Sequence, residues 1–85
     1  MVSPMEKRIG AILIIIDDIS SVALLNDILS KHAAIIIARQ GIPLRDKKIN
    51  IISLVVEGSP DNISALTGPL GKLKGIQVKS MMAKQ

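Results

Sequence analysis

Two similar strand–helix–strand segments, one after the other in 85 residues, predict an α+β chain of ferredoxin-like βαββαβ order. In that arrangement a four-stranded antiparallel sheet carries two helices on one face. Two observations point to it. Apolar residues at helical spacing alternate with short β-branched runs. An internal echo also links the halves: Val22, Leu25, Leu29, Ile35 and Ile37 match Ile63, Leu66, Leu70, Ile76 and Val78, each about forty positions further on. Right-handed crossovers then set both helices on the same face and the first and third strands in the centre of the sheet.

Residues 1–5 read as an N-terminal tail, a vector remnant or a stretch ahead of an alternative start at Met5, and residues 6–83 as one domain. Residues 7–16 are Ile-rich without Pro, a strand entering a core. From Ser20 to Lys31 the spacing of Val22, Leu25, Ile28 and Leu29 predicts a helix, capped by Ser20 or Asp18 and ending on Lys31 and His32, which suit its C-terminal dipole. Residues 33–41 predict a second strand closing at Gly41, with a turn over "IPLRDKK". "INIISLVVEG" is the third strand. Ser59 and Pro60 then start a helix with Ile63, Leu66, Leu70 and Leu73 on one face. Pro69 removes the amide that would bond Ala65, so a kink or break is expected at Gly68-Pro69. Gly75 closes that element before a last strand, "IQVKSMM".

Composition limits the possibilities. The chain is 48% hydrophobic but has no Phe, Tyr or Trp, so Ile, Leu, Val, Ala and Met fill the core without the large area an aromatic ring buries. With no cysteine to form a disulfide or a thiolate metal site, association with further copies is the natural source of extra stability. The central strands agree. Ile9, Ala11, Leu13 and Ile15 alternate with Ile12, Ile14 and Ile16, and Ile51, Ser53 and Val55 with Ile52, Leu54 and Val56. Both sheet faces are therefore apolar where a wet face would be polar, which predicts a second subunit on the open face or edge and a homodimer or homotetramer. Gln77 and Lys79 mark the last strand as the more water-tolerant.

The apolar run ending at Ile16 is too short to span a bilayer and lacks a signal-peptide pattern, so a cytoplasmic protein without membrane contact is expected. Eleven basic against seven acidic residues give a net charge of +4, spread along the chain with its densest group, "RDKK", in a loop. The first and third strands lack the aromatic rings on which RNA-recognition modules stack bases, and no basic recognition helix is visible, so no specific nucleic-acid binding is expected.

No catalytic constellation is present, and no cofactor or metal site is expected. The single histidine, His32, sits at a helix end as a surface residue. Asp17 and Asp18 are adjacent, so on a strand they point to opposite faces, and as a turn "DDISS" offers too few oxygens for a hard cation. "TGPLGKLKG" lacks the phosphate-loop pattern, and its glycines follow rather than precede a helix.

"ARQGIP" followed by "INIISLVVEGSPDNISALTGPLGKLKGIQVKS" resembles a small family named for regulation of iron-only hydrogenase systems, whose domain is ACT-like and related to the ligand-sensing domain of nickel-responsive repressors. The likeness runs from about Met5 to Met82, most tellingly in Arg39-x-Gly41-x-Pro43 and Ala65-Leu66-x-Gly68-x-Leu70-Gly71-x-Leu73-x-Gly75. It implies a non-enzymatic regulatory or ligand-sensing ACT-like domain acting as a homo-oligomer, with a small effector such as an amino acid at the first strand–helix turn. Here that turn is Asp17 to Ser21, with Ser20-Ser21 where the family of ACT domains usually has a glycine. The repressors' nickel ligands are several histidines and a cysteine, and His32 alone does not reproduce them.

The residues expected to bind an effector are therefore Asp17, Asp18, Ser20, Ser21 and Arg39. Free amides at the helix start receive an anion, the two serines add hydroxyls, Arg39 pairs with the same anion, and the aspartates accept an ammonium group. The alternative is a structural or protein-interaction module in which Asp18 or Ser20 caps the helix and nothing binds.

Overall fold

The computed structural model describes residues 6–83, so the tail expected over residues 1–5 lies outside the described residues. The strands are β1 (Arg8–Ile16), β2 (Ile36–Leu44), β3 (Ile49–Gly58) and β4 (Ile76–Met82), and the helices are α1 (Val22–Lys31) and α2 (Pro60–Gly71). The sheet is antiparallel throughout in the order β2-β3-β1-β4, which is the ferredoxin-like arrangement with β1 and β3 central.

Register divides the sheet into two faces. Ile12, Ile14 and Ile16 of β1 lie opposite Leu54, Ile52 and Asn50 of β3, and all of these but Asn50 join Val56 and Ile76 in the sheet side of the core. Leu25 and Leu29 of α1 and Ile63, Leu66 and Leu70 of α2 complete it. Fully burying each such side chain contributes about 1.5–3 kcal/mol, which sets why the helices lie where they do. Ile9, Leu13, Ile15, Ile51 and Val55 turn to the other face, which neither helix covers.

The two helices begin differently. α2 has a complete capping box: Ser59 Oγ accepts from the Asn62 amide at 3.1 Å, and Asn62 Oδ1 accepts from the Ser59 amide at 3.3 Å, with Pro60 at the first position. α1 is preceded by a short 3₁₀ turn, Ile19–Ser21, so the helix proper begins two residues later than its apolar spacing predicts. At its other end the His32 ring donates from Nδ1 to the Ile28 carbonyl at 2.8 Å, which fixes the ring on the last turn.

Three local expectations are corrected. A 3₁₀ turn occupies Ala33–Ile35, and β2 starts at Ile36 with a bulge between Ile36 and Ala38. β2 then runs through Gly41 and Pro43 to Leu44, because an edge strand tolerates both residues. The reversal falls on Arg45–Lys47, with Lys48 left-handed at φ 55°. Finally, α2 continues through Pro69 to Gly71: the proline lies in the last turn, where one lost bond, that to the Ala65 carbonyl, does not break the helix.

Candidate functional site

The β1–α1 junction gathers four of the five expected site residues. Asp18 is the cap: its Oδ1 accepts from the Ser20 amide at 2.9 Å and from the Ser20 hydroxyl at 2.6 Å. The donation from Ser20, by hydroxyl and then amide, with a smaller share from the Lys74 ammonium, holds the Asp18 carboxyl below its ordinary value of 3.8. Lys74 Nζ stands 3.8 Å from Asp18 Oδ2 and is itself largely exposed, so this ion pair contributes little.

Long-range contacts tie the junction to the turn between α2 and β4. The Asp17 amide donates to the Gly75 carbonyl at 2.9 Å. Ser21 is buried, and its hydroxyl donates to the Lys74 carbonyl at 2.6 Å. Gly75 has φ +70°, and a Cβ there would stand 2.3 Å from Asp18 Cβ and 2.6 Å from Asp17 Oδ1, so only glycine fits. The hydroxyls and the Asp18 carboxylate of this turn already have partners within the chain.

Arg39 is not brought to that turn. It lies on the helix-bearing side of β2 opposite Leu54, and its guanidinium donates to Asn26 Oδ1 at 3.0 Å, more than one turn into α1. There it borders a groove of about 270 Å³ between α1 and β2, together with Asn26, Gly41, Pro43 and Asn50 over a floor of Ile16, Leu25 and Ile52. From the sequence, Arg39 is expected with the effector, Gly41 at the end of the second strand and Pro43 in the turn after it. The signal that they share a surface was their spacing of two, which puts all three on one face of a strand.

Among the described residues no group of three or more His, Cys, Asp or Glu could hold a metal ion. No helix there is long and apolar enough to cross a membrane.

Residues 8–80 match the TM1266-like family, described as "Iron-only hydrogenase system regulator, putative". The chain belongs to this family. The structure of uncharacterized protein TM1266 from Thermotoga maritima is 34% identical, with a TM-score of 0.88 over 93% of this chain and 100% of that one. A formyltetrahydrofolate deformylase from Pseudomonas syringae is 12% identical, with a TM-score of 0.63 over 94% of this chain but 28% of its own. CPII, a nitrogen regulatory PII-like protein from Thiomonas intermedia solved with ADP, AMP and bicarbonate, is 9% identical, with a TM-score of 0.53 over 95% of this chain and 94% of that one. At the last two identities the likeness is one of fold alone. Comparison with curated proteins returned no match.

Proposed function

We propose that this chain is a non-enzymatic, ACT-like regulatory domain that acts as a homo-oligomer and senses a small effector. The observation that carries the reading is the open face of the sheet. Ile9 and Leu13 are each 45% exposed, Val55 40% and Met81 72%, and Ile15 and Ile51 lie half-buried between them. Among the strand positions turned to this face only Glu57 and Lys79 are charged, and their signs are opposite, so a two-fold pair need not set like charges together. A four-stranded sheet about 19 Å wide and about 30 Å long presents on the order of 600 Å². Two such faces would bury about 1,200 Å², the lower limit of a stable specific interface. Such an assembly supplies what an aromatic-free core lacks, and membership of a regulator family supports the regulatory role.

Size-exclusion chromatography with light scattering tests the pairing. The expected mass is at least twice the 9.1 kDa of the chain. Val55→Asp, which sets a carboxylate opposite Ala11 and Ala38 and beside Glu57, with no cation in register, should shift it to monomer. A folded wild-type monomer at micromolar concentration would overturn the pairing.

A protein-interaction module without an effector is the second reading, and one observation favours it. Ser21 and Asp18 are committed to Lys74 and Ser20, which leaves the β1–α1 junction with few free donors for a ligand. Melting followed by circular dichroism, with and without amino acids, separates the two, since Ser21→Ala and Asp17→Ala should abolish ligand-induced stabilisation only if the junction senses.

A further inference from the structure

Beyond Ile36, which packs against the core opposite Val56, the β2 positions that face the helix layer are Arg39, Gly41 and Pro43, opposite Leu54, Ile52 and Asn50. A strand beneath a helix ordinarily places branched aliphatic side chains there, as β1 and β3 do. Here the middle position carries no side chain, and a Cβ built on Gly41 meets nothing within 4 Å. The groove along the first half of α1 exists because of that omission. Its floor of Ile16, Leu25 and Ile52 is aliphatic, and its rims present the carboxamides of Asn26 and Asn50.

Arg39 supplies the charge. Its only described partner is the neutral Asn26 carboxamide, and no Asp or Glu lines the groove. Asn26 therefore orients the guanidinium without compensating it, and leaves N–H donors free to fork a carboxylate. We infer that this groove binds a small organic carboxylate with a short branched aliphatic body, held by Arg39 at one end and by Ile16, Leu25 and Ile52 beneath. The inference rests on the sensing part of the reading above and moves the effector from the β1–α1 junction to the flank of α1. Without an acidic lining, the groove disfavours an amino acid, whose ammonium group would be desolvated with no counter-charge. A volume of about 270 Å³ lies below the range of drug-sized pockets, which suits an acid of about five carbons.

Three probes test the chemistry on one carbon skeleton. Isovalerate is the simple acid, valine adds an ammonium beside the carboxylate, and isovaleramide replaces the carboxylate with a neutral amide. Each is titrated to about 20 mM into the full ¹⁵N-labelled chain. Isovalerate should move the amide resonances of Asn26, Arg39, Gly41 and Ile42 saturably with a Kd on the order of 1 mM, and the other two should bind at least about tenfold more weakly. Arg39→Gln should lose that tenfold. Gly41→Val should fill the groove and abolish binding while keeping the circular dichroism melt, since its Cβ has room; were it unfolded, Arg39→Gln decides alone. Equal shifts from isovalerate and isovaleramide would overturn the inference, as would valine binding as tightly as isovalerate. Shifts centred on Asp17 to Ser21 would overturn the groove yet keep a sensing domain. No saturable shift, in a chain that light scattering finds paired, would overturn the groove and leave the pairing intact.

Discussion

In the second half of the chain, α2 lays Ile63, Leu66 and Leu70 into the core, and the strand that follows enters with Ile76 buried. In the first half, α1 buries only Leu25 and Leu29, and every β2 residue from Ile37 to Pro43 is exposed. Both helices share one apolar spacing, yet only one is closely matched by its return strand. Helical spacing decides that a helix forms and which stripe it buries. Whether the neighbouring strand closes beneath it depends on that strand's own side chains, and β2 offers Arg39, Gly41 and Pro43. The halves also hold their helices differently, α2 by a cap within four residues and α1 by contacts with Lys74 and Gly75 at the far end of the sequence.

The sharpest way to break this contrast is Gly75→Ala. A methyl group at φ +70° would collide with Asp18 Cβ and Asp17 Oδ1, detaching the first half's junction from the second half's turn. A loss of about 3 kcal/mol is expected from strain plus overpacking, read as a lowered urea midpoint. Hydrogen exchange should accelerate first at Asp17 and Ser21, and unchanged exchange there would mean that the junction does not depend on Gly75.

Ser59→Ala probes the locally held helix. It removes the acceptor for the Asn62 amide and should cost about 1 kcal/mol, leaving exchange at Asp17 and Ser21 unaltered. A loss that spread to α1's start would show that the two helix starts are coupled.

Asp18→Asn should have the smallest effect at neutral pH, because an Asn Oδ1 can still accept from Ser20. Its signature lies in acid. The Asp18 carboxyl is depressed in the folded chain, so its stabilisation is present above the ordinary carboxyl value and is lost as pH falls through the folded one. Urea midpoints measured from about pH 7 down to about pH 2 should therefore fall less steeply in Asp18→Asn than in the wild type. Parallel pH profiles would count against the capping role of the carboxylate.

Element order, the central pairing of β1 with β3 and the division of their faces were legible because they follow from alternation and from helical spacing. Alternation put Ile12 with Ile14 and Ile16, and Leu54 with Ile52 and Val56, and the structure buries both sets. Which face of each strand meets the helices was not legible, because both faces are apolar. The echo between halves failed at Ile37, the counterpart of Val78. A bulge between Ile36 and Ala38 interrupts the alternation, and Ile37 ends 58% exposed. Gly41 and Pro43 read as stop signals because a stop and an uncovered edge use the same residues. At the candidate site, the Asp18–Ser20 cap spans two residues, so a cap at Asp18 or Ser20 was legible, and the structure makes Asp18 the acceptor. The Ser21–Lys74 bond spans 53 positions and the Arg39–Asn26 bond joins a strand to a helix, so neither exists until the sheet has formed.

β2 also affects how the chain meets others like it. An outer strand offers unpaired amides and carbonyls on which a stranger's strand can grow, and polymerisation along that direction has no natural end. Pro43 interrupts this row with a residue that has no amide, the bulge at Ile36/Ala38 breaks its rhythm, and Arg39 and Gln40 keep it hydrated. A chain so rich in isoleucine and valine would otherwise be a ready seed for fibrils. Its protection sits on the same strand that leaves the α1 flank uncovered, so substitutions that smooth β2 into a regular apolar strand would remove a barrier to aggregation along with the groove.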